Sequence, residues 1–314
     1  MRLHERFSGN VPALVTPCTI RGEPDHEAMH ALVEHVIASG VSAVCVLGTT
    51  GEFSLVAPRH RAPVIRAAVE AAANRVPVMA GCGRPSIVET EAEIAEAATC
   101  GATAALVTPS YYFPLTEPEI VNFFSALAER SLIPILYYHY PQMTRCSIGA
   151  AAILTMARSG VIAGIKDSSG DAAFFARLTA RATELDDFRI FIGGSGFLLA
   201  ALSLGAHGVM GALSNFAAHL DNELIAAFSA GDVSRCRRAQ AEIVRAVEAL
   251  FHGVPRNPAA TSKVILASMG ICGDSVFAPL APLTESEKAA IIGLLPSFGI
   301  AAHGASANRK TAAS

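Results

Sequence analysis

Ile162-Ala-Gly-Ile-Lys-Asp-Ser-Ser169 is a short apolar run that ends in a lysine and then in small polar residues. It reads as a buried strand whose last inward residue is Lys166. The chain has four lysines, Lys166, Lys263, Lys288 and Lys310. Lys288 lies in a charged segment, Lys310 in a polar tail, and Lys263 in a Pro/Ala/Thr/Ser stretch that reads as a helix start. Lys166 alone stands at the end of a buried strand. A strongly hydrated ammonium is costly to bury, so a lysine there needs a reason. One reason is chemical: burial lowers the pKa of the amine, which can then attack a carbonyl and form a Schiff base. The other is structural: an ion pair with Asp167 or another nearby carboxylate. Taken alone, the stretch supports both equally.

Outward from this run the same pattern repeats. Apolar strand-like runs occupy 11–17, 43–48, 76–81, 104–109 and 134–140 before it, and 189–193 and 208–213 after it. Between them lie segments with helical spacing. The first follows Asp25, a helix-capping residue, and places Met29, Leu32, Val33 and Val36 on one face. No hairpin signal joins any two runs. Strands alternating with helices imply parallel pairing through right-handed crossovers. Eight such units in about 200 residues fit an α/β fold of the (β/α)8 TIM barrel type. An open doubly wound sheet is the alternative, but the G-x-G-x-x-G turn it normally carries after its first strand is missing. After Asn215 only helical segments remain, near 219–229, 233–251, 259–269 and 285–294. The expected organisation is a catalytic barrel over 1–215, C-terminal helices packed on it over 216–300, and a flexible tail over 301–314.

Composition narrows the function. Hydrophobic residues make up 52% of the chain, but no uninterrupted apolar run is long enough to cross a bilayer. The N-terminus lacks the apolar core of a signal peptide. A net charge of −3 argues against nucleic acid or an anionic membrane as the main partner. Seven scattered cysteines with no C-x-x-C pair read as reduced thiols in a cytoplasm. No metal-ligand motif and no cofactor motif is present. His26 and His30 share a helix with Glu27 and Glu34, and read as a solvated face.

In such a barrel the active site lies at the C-terminal strand ends. Strand two ends in Thr49 and Thr50, and strand four runs into Ser110, Tyr111 and Tyr112. Strand five carries Tyr137, Tyr138 and His139, and strand six ends in Lys166 and Ser168. Strand seven ends in Gly193, Gly194 and Ser195, and strand eight in Met210, Gly211 and Ala212. Alternation puts Lys166 on one face with Gly164 and Ser168, and turns Tyr138 inward with Leu136. A lysine, an inward tyrosine and two threonines make a coherent set. The amine condenses with a 2-keto acid, and the iminium is an electron sink for breaking or forming the adjacent C–C bond. Thr50 and nearby backbone N–H groups can hold the carboxylate. A phenol held by other hydroxyls can shuttle the proton. Tyr112, Tyr137 and Tyr140 read as packing residues, and His139 as a satisfied residue facing a helix. Glu52 reads as a tie for the N–H groups of its own loop, and Asp167 as a cap or ion-pair residue. Ser168 and Ser195 are candidates for substrate contact.

Gly48-Thr-Thr-Gly-Glu52, Tyr138-His-Tyr-Pro141 and Gly164-Ile-Lys-Asp-Ser168, in that order, resemble the dihydrodipicolinate synthase/N-acetylneuraminate lyase family. The resemblance extends to Asn257-Pro258 and Lys263 and so covers nearly the whole chain. It implies a pyruvate-binding class I aldolase barrel that assembles as a homotetramer, a dimer of dimers. It implies Lys166 as the Schiff-base lysine, Tyr138 as the catalytic tyrosine and Thr49 as the relay hydroxyl. It implies Thr50 as the carboxylate site, and Tyr111 as the tyrosine reaching a neighbouring subunit's site. Gly193 and Met210 then line the pocket. Two departures bear on the substrate. The arginine that dihydrodipicolinate synthases place two residues after Tyr-x-x-Pro is Met143 here, with Arg145 out of register. The acidic pair of bacterial sialate lyases after strand seven is replaced by Ser195 and Gly196, and Ala212 stands at a serine position. The expected activity is a lyase making or breaking a 2-keto acid of the 2-keto-3-deoxy sugar acid type, with pyruvate as one fragment and an aldehyde as the other. A dehydratase using the same imine, dihydrodipicolinate synthase itself and a non-catalytic keto-acid binder are the alternatives.

Overall fold

The computed structural model describes residues 7–252 and 257–302. Its barrel half alternates strand and helix. It begins β1 (Gly9–Asn10), α1 (His26–Ala38), β2 (Val44–Val46), α2 (Pro58–Ala72), β3 (Val78–Cys82) and α3 (Ile87–Thr99). It continues β4 (Ala104–Val107), α4 (Glu117–Ala128), β5 (Ile135–His139), a short α5 (Pro141–Thr144) and α6 (Ala150–Arg158). It ends β6 (Gly164–Asp167), α7 (Ala172–Ala182), β7 (Arg189–Ile192), α8 (Leu198–Ser203) and β8 (Gly208–Val209). All eight strands form one sheet in the order β1-β8-β7-β6-β5-β4-β3-β2, and every pairing is parallel. A parallel bridge from Ala13 to Cys45 joins the first segment to β2 and closes the ring. This is the expected TIM barrel.

The first strand differs in detail from the expected 11–17. Its ladder to β8 covers Gly9–Asn10, and Val11 and Ala13 then donate singly to Val209 (2.9 Å) and Gly211 (2.8 Å). Pro12 and Pro17 have no N–H to give, so the run cannot continue as a ladder strand.

Side-chain alternation splits the core in two. Inward residues, among them Cys45, Met79, Leu106, Leu136, Tyr138, Phe191 and Met210, fill the barrel. Outward residues such as Val44, Val46, Val107, Tyr137 and Ile165 pack under the helices. Strands buried on both faces are what a covered parallel sheet requires. Asp25 caps α1 by accepting from Ala28 N at 2.9 Å, and Asp171 caps α7 by accepting from Phe174 N at 2.8 Å. Four helices follow: α9 (Ala218–Ser229), α10 (Val233–Val247), α11 (Pro258–Ser268) and α12 (Glu285–Leu294). A five-residue π-helical turn, Glu248–His252, follows α10. The stretch from 303 onward, which the sequence reads as a loose tail, lies outside the described residues. No helix among the described residues is long and apolar enough to cross a membrane.

Candidate active site

At the C-terminal strand ends a cavity of about 360 Å³ opens over the barrel. Lys166 and Tyr138 stand side by side in its floor because β5 and β6 pair in register at those two residues. Lys166 is only 3% exposed, and its Nζ lies 4.5 Å from the centre of the Tyr138 ring. No ion pair joins Lys166 to Asp167 among the described residues. Asp167 also borders the cavity; its carboxylate accepts from Ser169 N at 3.0 Å, and burial raises its carboxyl above the usual range. Below Lys166 the barrel interior is apolar. Burial pushes the Cys45 thiol up to about 11, against the pull of the Lys166 charge.

The Tyr138 hydroxyl meets Thr49 Oγ1 at 3.1 Å. Thr50 is 9% exposed and lines the same cavity. The loop carrying both threonines is held in an unusual shape. Leu47 (φ 55°) and Glu52 (φ 56°), both non-glycine residues, adopt left-handed backbone on either side of it. The loop approaches β3 so closely that a Cβ on Gly81 would sit 1.9 Å from the Leu47 carbonyl oxygen. Thr16 Oγ1 donates to the Gly51 carbonyl at 2.8 Å.

Ser168, Gly193 and Met210 line the cavity as expected. Gly193 must be small, since a Cβ there would fall 1.9 Å from Ser168 Oγ. Tyr140, read from sequence as packing, is instead on the cavity wall with its ring 5.8 Å from that of Tyr138. Ser195 does not line the cavity. Its hydroxyl turns back and donates to Asp221 Oδ2 at 3.1 Å, because α9 brings a buried carboxylate behind the loop. Tyr111 does not line its own chain's cavity, and its ring meets Phe53 edge-on at 6.3 Å.

Tyr137 packs in the core and His139 faces a helix, as read; other expectations need correction. Tyr112 is 72% exposed and meets Phe113 edge-on at 5.0 Å, so it is not a packing residue. Tyr137 is fully buried, with its hydroxyl unpartnered and its pKa raised by desolvation. His139 packs on Phe174, ring centres 4.6 Å apart; burial lowers it to about 4 and its Nδ1 has no partner. Glu52 does not tie its own loop. It accepts from Phe277 N at 2.9 Å and pairs with Lys263 Nζ at 2.5 Å, both side chains fully buried. Lys263 sits inside α11 with its ammonium 3.4 Å from Cys18 Sγ and 5.0 Å from the centre of the Phe277 ring. Among the described residues no group of three or more His, Cys, Asp or Glu side chains is placed to hold a metal.

A barrel with a buried lysine that has no ion-pair partner among the described residues, beside a tyrosine bonded to a threonine hydroxyl, fits the class of enzymes that cleave or form carbon–carbon bonds through a lysine imine. The chain belongs to the Dihydrodipicolinate synthetase family, which it matches over residues 6–296. It is 36% identical over 279 residues to a 4-hydroxy-tetrahydrodipicolinate synthase of Nitrosospira multiformis, covering 89% of this chain and 91% of that one. A solved monomeric dihydrodipicolinate synthase variant superposes with a TM-score of 0.89 at 27% identity, covering 95% of this chain and 99% of that one. YagE, a prophage protein of the dihydrodipicolinic acid synthase family from E. coli K12, solved with pyruvate, gives a TM-score of 0.87 at 27% identity over 94% and 99% of the two chains. The chain is thus a class I, pyruvate-dependent lyase of this family.

Proposed function

We propose that the enzyme makes or breaks the C3–C4 bond of a 4-hydroxy-2-keto acid whose far end carries no charge, with pyruvate as one fragment and a neutral aldehyde as the other. The 2-keto-3-deoxy sugar acids expected from the sequence fall in this class. The observation that carries the reading is Lys166, buried in the cavity floor with no ion-pair partner among the described residues, beside Tyr138, whose hydroxyl is tied to Thr49.

In this reading Lys166 Nζ attacks the C2 carbonyl, and the carbinolamine loses water to give the iminium. Tyr138 takes the C4 hydroxyl proton while releasing its own through Thr49 to solvent as the C3–C4 bond breaks, and the electron pair passes into the iminium to form an enamine. Thr49 orients the phenol. The enamine is protonated at C3, and hydrolysis returns the amine and frees pyruvate. Thr50 and adjacent N–H groups hold the C1 carboxylate, while Ser168, Gly193 and Met210 shape the space from C4 outward.

Met143 favours this reading over the synthase activity for which the curated relatives are named. It stands where the resemblance places an arginine for a second carboxylate. It is 59% exposed and does not line the cavity, and among the described residues no arginine lines the cavity either. A charged semialdehyde would therefore find no arginine countercharge among the described residues. A dehydratase using the same imine is the second reading, since it needs the same lysine and tyrosine. Incubation with a panel of 4-hydroxy-2-keto acids separates the two. Free pyruvate supports cleavage, whereas a dehydrated keto acid without pyruvate refutes it.

We further propose a homotetramer in which Tyr111 reaches a neighbouring subunit's site, in keeping with its absence from the cavity of its own chain. A cytoplasmic location fits the seven free thiols. Sedimentation at equilibrium tests the first, and a monomer would refute it.

A further inference from the structure

The loop after β7 poses a physical problem. Gly193, Gly194 and Gly196 form cavity wall there, yet three glycines in four residues make this backbone costly to hold still. The order is supplied from behind. The Ser195 hydroxyl donates to Asp221 Oδ2 at 3.1 Å, and the Ser214 hydroxyl donates to the same oxygen at 2.6 Å. Ser195 follows β7 and Ser214 follows β8, so one carboxylate on α9 fastens two neighbouring strand-end loops. Gln240 on α10 completes the support. Its Nε2 donates to the Ser195 and Gly196 carbonyls, both at 3.1 Å, and its Oε1 accepts from Leu199 N at 2.7 Å. Asp221 is fully buried, and its Oδ1 has no partner. A carboxylate buried at such cost, when no charge among the described residues pairs with it, needs a return beyond packing.

We infer that Asp221 is a positioning residue that sets recognition of the aldehyde-side part of the substrate. It acts through Ser195 and Ser214 on the wall formed by Gly193, Gly194, Gly196, Gly211 and Ala212. The groups assigned to pyruvate sit elsewhere in the ring: Lys166 on β6, Tyr138 on β5, Thr49 and Thr50 after β2. Loosening the β7–β8 wall leaves those four in place and moves only the surface that meets the rest of the molecule. This rests on the lyase reading above.

The test is a split between two binding measurements. One is the pyruvate concentration that half-saturates borohydride-trapped adduct formation. The other is KM for a 4-hydroxy-2-keto acid that the wild-type enzyme cleaves. Asp221→Ala is expected to raise the second roughly ten- to a hundredfold, the effect of losing hydrogen bonds to a buried charged group. It leaves the first within about twofold. Asp221→Asn keeps an oxygen for both serines and restores the wild-type KM. Ser195→Ala and Ser214→Ala, milder changes that serve if Asp221→Ala does not fold, each raise KM, and their effects are non-additive because they share one acceptor. An equal rise in both measurements overturns the inference, as does no rise in KM or a failure of Asn to rescue. If the wild-type enzyme forms no trapped adduct, the lyase reading itself falls and this inference with it.

Discussion

Lys263→Met tests the part of the site that lies furthest from sequence reasoning. The substitution keeps the length of the side chain and removes its charge. It leaves the Glu52 carboxylate fully buried with Phe277 N as its one remaining partner among the described residues. Removing one partner of a buried ion pair costs about 3–5 kcal/mol, most of it the penalty of an uncompensated charge. The unfolding entropy is about 2.1 cal/mol/K per residue, hence about 0.66 kcal/mol/K for 314 residues, so the loss lowers Tm by about 5–8 °C. Reversible urea unfolding measures the free energy, and a thermal melt measures Tm. The double change Glu52→Gln with Lys263→Met removes both charges and is expected to recover most of the loss. Glu52 also anchors the strained loop that carries Thr49 and Thr50, so half-saturation by pyruvate in the single variant moves to higher concentration. A single variant within about 1 kcal/mol of wild type, or a double variant no better than the single, would refute the reasoning.

Tyr138→Phe removes the phenol at the Thr49 contact while keeping the ring beside Lys166; kcat is expected to fall about 10²–10⁴-fold with the pyruvate adduct still forming, by rapid-quench trapping. Asp221 predicts a pH effect on stability. Burial raises its carboxyl from 3.8 to about 6, worth about 3 kcal/mol at 1.36 kcal/mol per pKa unit. The native state binds the extra proton between those values, so this contribution is full below 3.8 and is lost as pH rises through about 6. Urea unfolding of wild type and Asp221→Asn at about pH 4 and about pH 8 should show the fall in the wild type alone, and parallel curves would contradict it. Gly193→Ala drives a methyl group into Ser168 Oγ, so it should raise KM for the keto acid in steady-state assays by roughly tenfold or more.

The alternation of strands and helices was legible because each strand is a local run and the barrel needs nothing more to be inferred. The positions of Lys166 and Tyr138 were legible for the same reason: they stand at strand ends and period-two alternation gives their facing, whereas Thr49 and Thr50 were placed by strand end alone. What sequence did not disclose depends on contacts between distant segments. Phe277 and Glu52 are 225 positions apart, and nothing near Glu52 announces that the C-terminal part will supply its partners. Lys263 looked like a helix-start residue because its neighbours are small and polar, yet small neighbours are what let a helix bury a lysine. Ser195 was read as a substrate contact from its strand-end position. A serine hydroxyl follows the strongest acceptor within reach, and that acceptor, Asp221, arrives only with α9.

The central claim is that Lys166 forms the imine. The most direct measurement is the intact mass, followed by peptide mapping, of enzyme treated with pyruvate and borohydride. The account predicts one reduced pyruvyl group per chain, located on Lys166 and absent from Lys166→Ala. An unchanged mass, or a label that persists in Lys166→Ala or maps to Lys263, would contradict it.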